Sequence, residues 1–245
     1  MKTYSSVIVI AFCLLAISCA TQSPVATTPM GPGAFKALMG RGMMFLENGE
    51  TGKAIDEFSK ACAAEPASAK PRNFLGMAYF KQNDFAKAAE QFNKAIELDG
   101  SFASAYNNLG SVYLFLKKYD EARALFSKVL TLDPKNASAY FSLGNILLLQ
   151  GQEEEGVKYL TKALELDPSF LDRQGALFSS LSFTEPGETM FNYAKAFAAS
   201  GNVDQTASYL SKARTLGFKD WGRILNDKEF EAVRQDKKIS EFIKF

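Results

Sequence analysis

Small and large apolar residues recur along this chain with a fixed period of 34. Windows opening at Phe35, Ala69, Ala103 and Ala137 each place a glycine at position 8: Gly42, Gly76, Gly110 and Gly144. Position 20 carries Ala54, Ala88, Ala122 and Gly156, and position 24 carries Phe58, Phe92, Phe126 and Leu160. Position 27 is Ala61, Ala95, Val129 and Ala163, and position 32 is Pro66, Gly100, Pro134 and Pro168. A glycine inside a helix costs about 1 kcal/mol relative to alanine, so four in register predict a neighbour that needs the space. The pattern predicts two antiparallel helices per window. Positions 8 and 20 are small so that the axes can approach, position 24 fills the seam beside them, and the breaker at 32 ends the second helix.

Repetition at this period is the signature of a stacked array. Leu75, Gly76 and Tyr79 with Ala88, Phe92 and Ala95, and Leu109, Gly110 and Tyr113 with Ala122 and Phe126, resemble the tetratricopeptide repeat. The resemblance covers residues 35–168 and implies an all-α fold, a right-handed α-solenoid of antiparallel helix pairs. A fifth window opening at Leu171 fails, but one opening at Gly187 regains the phase through Tyr193, Ala194, Phe197, Leu210 and Ala213. Residues 169–186 are therefore expected to hold an inserted helix, near Leu171 to Leu181, and residues 187–218 a degenerate repeat. The tail, 219–245, resembles the helical segment that closes such arrays, and Trp221, Leu225, Phe230 and Phe242 are suited to cover the apolar face of the last repeat.

Residues 1–18 read as a secretory leader, with Lys2 ahead of an apolar run from Val7 to Ile17 that is too short to span a bilayer. Leu15-Ala16-Ile17-Ser18-Cys19 resembles a bacterial lipoprotein signal, which implies acylation of Cys19 and attachment to a lipid bilayer. Ala20, where some such proteins carry aspartate, implies the outer membrane. Residues 19–34 form a tether rich in Pro, Thr and Gly, and the folded part is expected in the periplasm or another extracytoplasmic space. Cys62, among alanines on a second helix, reads as a packed core residue.

Charge is balanced at 28 basic and 27 acidic residues, without the basic stripe that nucleic acid requires. Histidine is absent, which removes the commonest general base and metal ligand, and no Cys-x-x-Cys or phosphate loop occurs. No enzyme, cofactor or metal is expected. Glu153, Glu154 and Glu155 read as a solvated charge run.

By the resemblance, positions 2, 5, 6, 9, 12 and 13 of the first helices line a groove. On this chain that groove shows Met39 and Met43; Asn73, Phe74 and Met77; Asn107, Asn108 and Ser111; and Phe141, Ser142 and Asn145. Amides can pair with an extended peptide backbone while Met and Phe receive its side chains. The basic clamp by which chaperone-binding members hold a terminal carboxylate is missing, so a neutral, partly apolar polypeptide is the expected partner. The leading reading is a non-enzymatic scaffold lipoprotein at the cell envelope. Two alternatives stand beside it. One is an accessory in pilus or secretion-pore assembly, by fold-level analogy. The other is a periplasmic carrier of a small apolar ligand, which would need a closed pocket.

Overall fold

Each window folds as a helix pair because its apolar positions recur at helical spacing and its breakers fall between helices. The computed structural model describes residues 32–171 and 186–244, all-helical apart from turns. The pairs are α1 (Pro32–Glu47) with α2 (Thr51–Ala64), α3 (Ala69–Lys81) with α4 (Phe85–Leu98), α5 (Ala103–Phe115) with α6 (Tyr119–Leu132), and α7 (Ala137–Leu149) with α8 (Glu153–Leu166). A fifth pair, α9 (Pro186–Ala199) and α10 (Val203–Thr215), follows, and α8 packs directly on α9. Each second helix likewise packs on the first helix of the next pair, which makes the array a solenoid. The leader, Cys19 and the tether up to residue 31 lie outside the described residues, as does the expected inserted helix beyond Leu171. Among the described residues no helix is long and apolar enough to cross a membrane.

The turn inside each pair needs one left-handed residue, and it falls at position 15 every time. Gly49, Asn83, Lys117 and Gly151 have φ of 78, 61, 59 and 75°, and Gly201 in the fifth pair has 73°. Glycine takes this conformation without strain and asparagine tolerates it; Lys117 is the costly case. Side-chain caps start several helices: Asp84 accepts from the Lys87 amide at 3.2 Å, Asn136 from Ala139 at 3.0 Å and Asn202 from Gln205 at 3.1 Å.

The position-8 glycines serve a different neighbour from the one expected. A β-carbon on Gly42 would lie 2.5 Å from the Phe58 ring, on Gly76 2.6 Å from Phe92, and on Gly110 2.9 Å from Phe126. The ring at position 24 therefore takes the space a β-carbon would occupy on the glycine instead of filling a seam beside it. Close approach of backbones is found in the fourth pair, where leucine replaces the ring. There a β-carbon on Gly144 would lie 2.9 Å from the Gly156 carbonyl oxygen and 2.9 Å from Leu160. Phe58, Phe92 and Phe126 are essentially inaccessible, and so are the alanines at position 20.

Beyond α10 the chain closes the array with α11 (Arg223–Asn226), a 3₁₀ turn (Lys228–Phe230) and α12 (Lys237–Ser240). Phe218 stacks on Phe191 at 4.1 Å between centroids, Trp221 meets Phe218 edge-on at 5.1 Å, and Phe242 lies 5.5 Å from Trp221. Phe230, Ile224 and Ile239 are fully buried. Leu225 is not part of this cover. It remains 50% exposed, because the short helix turns Ile224 inward in its place.

Charged groups lock the cap to the array. Lys195 of α9, with only 7% of its side chain exposed, lies 2.6 Å from Glu153, 2.9 Å from Asp227 and 3.6 Å from Glu229. Arg223 joins Glu153 and Glu188, and Lys228 pairs with Glu154. Burial by itself would push the Lys195 ammonium down, but hydrogen bonds to Glu153 and Asp227 outweigh it and hold it above the usual lysine range. The acidic run is thus only partly a solvated face: Glu153 and Glu154 are the anchor points of the cap.

Gly76→Ala should destabilise the chain by about 1–3 kcal/mol, because a methyl group there collides with Phe92. Gly52→Ala, in the open first turn of α2 with nothing within 4 Å, should stabilise it by about 0.5 kcal/mol. Chemical denaturation of the two variants checks the sign of each. Lys195→Ala leaves Glu229 partly buried without its cation and Asp227 with Arg223 alone at 3.5 Å, and should cost about 3 kcal/mol. Trp221, the sole tryptophan, reports whether the cap loosens: its fluorescence should shift to the red in Lys195→Ala and stay unchanged in the exposed control Lys158→Ala.

Candidate functional site

The first helices reach one another across the array, α1 with α3, α3 with α5 and α5 with α7. Their side is therefore the inside of the curve. Helical spacing turns positions 5 and 9 of each first helix toward that side, but the stacking of repeats treats the two differently. Position 5 faces the junction with a neighbouring repeat. There Met39, Asn73 and Phe141 are 7%, 4% and 0% exposed, and among the first four pairs only Asn107 keeps part of its surface. Position 9 stays open: Met43 is 39% exposed, and Met77, Ser111 and Asn145 are half-buried.

This divides the expected groove residues. Phe141 is a core residue, packed against Phe170 at 5.1 Å and Tyr193 at 5.6 Å between centroids, and presents no surface. Asn73 is also enclosed. Its Oδ1 accepts from Asn108 Nδ2 at 2.9 Å, so the amide row is joined to itself across the junction of α3 and α5. Ser142 and Met39 are buried as well. Asn145 is held at both ends of its amide: Nδ2 donates to the Phe141 carbonyl at 2.9 Å, and Oδ1 accepts from the Tyr193 hydroxyl at 2.9 Å. Burial keeps that phenol well above its usual range, so it stays a donor at all ordinary pH.

An open set remains on α3 and α5. Phe74, stacked on Phe58 at 5.5 Å, is half-buried, as are Met77, Asn107, Asn108 and Ser111. Ser111 Oγ donates to the Asn107 carbonyl at 3.0 Å. Asn107 Oδ1 is buried and accepts from nothing. A buried acceptor without a donor costs about 1–3 kcal/mol, and this one lies in the row of side chains that faces the inside of the curve. Residues the sequence reading missed are Tyr193 and Lys195. Each depends on a partner in another repeat or in the cap, and only the unusual hydrophilic Lys195 inside an Ala- and Phe-rich helix signals it.

A second concavity lies between α8, the end of α9 and the cap. It is a broad hollow of about 1500 Å³ lined by Glu154, Glu155, Lys158, Lys162, Glu165 and Glu231 among others. Tyr140, Val157, Tyr159 and Ala198 line it as well, so its wall mixes charge with apolar surface.

A model of the tetratricopeptide repeat matches residues 26–69, 75–137 and 112–169, more than half of the chain. The chain belongs to the tetratricopeptide-repeat family. It is a scaffold of the protein–protein interaction kind, in a family that is typically non-enzymatic. No curated protein sequence matches it. Among solved structures, PilF of Pseudomonas aeruginosa is 19% identical, with 86% of this chain and 89% of that chain covered at a TM-score of 0.57. MamA of Desulfovibrio magneticus RS-1 is 21% identical over 75% of this chain and 94% of that one, at 0.53. The second repeat domain of human RPAP3, determined with the HSP70 peptide SGPTIEEVD, is 32% identical over 46% of this chain and 95% of that chain, at 0.44. At these identities the likeness to PilF and MamA is one of fold.

The Asn73–Asn108 bond is expected to act as a clasp between repeats. Asn73→Ala and Asn108→Ala should each destabilise this tetratricopeptide-repeat array, and the double variant should cost less than the sum by about 0.5–1.5 kcal/mol. A thermodynamic cycle from denaturant titrations measures that coupling directly.

Proposed function

We propose that this chain is a lipid-anchored scaffold at the bacterial cell envelope that receives an extended polypeptide along the inner faces of α3 and α5. The observation that carries the reading is the unpaired, buried Oδ1 of Asn107 beside half-open Phe74, Met77, Asn108 and Ser111. Rotation of the Asn107 amide brings that acceptor to the open side, where a peptide N–H laid along the row supplies the missing donor, and Met77 and Phe74 offer adaptable apolar contact to its side chains. The row carries no charge of its own, which favours a neutral, partly apolar segment over an acidic tail. An open row of this kind accommodates a chain that enters and leaves at both ends, whereas a carrier of a small apolar molecule needs enclosure. The anchor is read from the sequence: acylated Cys19, with the Pro-rich stretch after it as the tether.

Photo-crosslinkers placed at Met77 and Ser111 in living cells should capture the partner, and the same group at Asp56 or Glu97, exposed on second helices, should not. Converting Asn107 and Asn108 together to alanine should lower the crosslinking yield from Met77 by about tenfold, with helix content unchanged. Equal yields from the second-helix positions would remove the inner row as the site. Separately, Cys19→Ala should abolish incorporation of a fatty-acid analogue and release the chain from the membrane fraction. A persistent label would refute the anchor and leave the groove standing.

A further inference from the structure

Among the described residues, the first repeat lacks the neighbour that every later repeat has. Positions 3 and 10 of a first helix pack on the second helix before it. Ala78 lies with Phe58 and Ala61 of α2, Val112 with Ala88 and Phe92 of α4, and Ala139 and Ile146 with Phe126 and Val129 of α6. Pro71 and Ala105 at position 3 are buried in the same way, and Ala78, Val112 and Ile146 are fully enclosed. On α1 the equivalent positions are Ala37 and Met44, and both are exposed, Met44 by 46%. Gly40 lies between them with nothing within 4 Å of where a β-carbon would be. Unlike Gly42, it has no ring to receive, so its cost of about 1 kcal/mol in the helix has no return among the described residues.

On the lipid-anchor reading proposed above, on which this inference rests, only residues 20–31 remain between Cys19 and α1, and they are a poor source of the missing helix. The second helices α2, α4, α6 and α8 are each 14 residues long. Residues 20–31 number twelve and include Pro24 and Pro29, and a proline inside a helix costs about 3 kcal/mol. The opposite end of the array is no partner either, because Trp221, Ile239 and Phe242 already cover it. Head-to-tail stacking is thereby blocked, and the face of α1 is left with its own copy as the complementary surface.

At 100° per residue, Gly33, Lys36, Ala37, Gly40, Met43, Met44 and Glu47 fall within one third of the helix circumference, centred on Gly40. Two such helices crossed antiparallel at Gly40 set Ala37 of one copy over Met44 of the other, and each Lys36 then approaches the other copy's Glu47. The charges on the rim are complementary in this orientation and repulsive in the parallel one. We infer that the exposed face of α1 is a homodimer interface, in which two copies pair head to head about a two-fold axis at Gly40. The arrangement also suits a common membrane. The two α1 amino termini lie about 24 Å apart at opposite ends of the crossed helices, and twelve extended residues reach about 40 Å.

Sedimentation equilibrium of the full chain in density-matched detergent tests the pairing. The expected result is the mass of one mature chain giving way to twice that mass as concentration rises toward about 100 µM. Gly40→Arg and Met44→Glu should each weaken self-association by about tenfold or more, with helix content unchanged because both sites face solvent, and Leu225→Glu at the capped end should leave it unaltered. Copies carrying Ala37→Cys mixed with copies carrying Met44→Cys should form a covalent dimer under mild oxidation. A chain that stays monomeric throughout would overturn the inference, and so would a dimer indifferent to both substitutions. A crosslink from Gly40→Cys to residues 1–31 of the same chain would overturn it too, by showing that the upstream segment covers the face.

Discussion

A phenyl ring resting on a helix with no side chain beneath it is the contact on which this structure depends. Phe58 on Gly42, Phe92 on Gly76 and Phe126 on Gly110 hold the two helices of each pair at one separation and one rotation. Any β-carbon at those glycines would have to displace a ring that is itself inaccessible, so neither partner can shift alone. Because the contact recurs every 34 residues, each pair is a near copy of the last, and the array adds them with a constant step. The fourth pair shows the alternative solution: with Leu160 in place of the ring and Gly156 in place of alanine, the backbones themselves close in.

The constant step decides which side chains can meet a partner. Rotation from one repeat to the next turns position 5 into the junction and leaves position 9 open to the inside of the curve. Hence Asn73 is spent on Asn108, and Asn107, in the third of the four regular repeats, retains an acceptor that nothing satisfies. Beyond the fourth pair the same inner row is occupied by Tyr193 and by the ion cluster of Lys195, which fastens the cap. The usable surface therefore sits on α3 and α5, at the middle of the regular repeats.

The fold was legible because its signal is redundant: four glycines, three rings and four breakers repeat in phase, and each states the same helix pair. The groove was legible only as a set of first helices. Which asparagine faces out depends on the rotation between repeats, a tertiary quantity that leaves no trace in the spacing of Asn73, Asn107 and Asn145. Phe141 illustrates the difficulty. It occupies the position of Asn73 and Asn107, yet its burial is due to Phe170 and Tyr193, the second of which lies across an insertion that breaks the period. Glu153 looked solvated for the same reason, since its partners Lys195 and Arg223 are 42 and 70 residues away.

A double-mutant cycle on Gly76 and Phe92 tests the central contact most directly. If the ring lies on the glycine, Phe92→Ala, which removes it, should relieve most of the clash introduced by Gly76→Ala. The double variant would then be more stable than the sum of the two single changes predicts by about 1 kcal/mol or more. Additive losses, within about 0.3 kcal/mol, would show that the glycine and the ring do not sense each other, and the geometry of the whole array would need another origin.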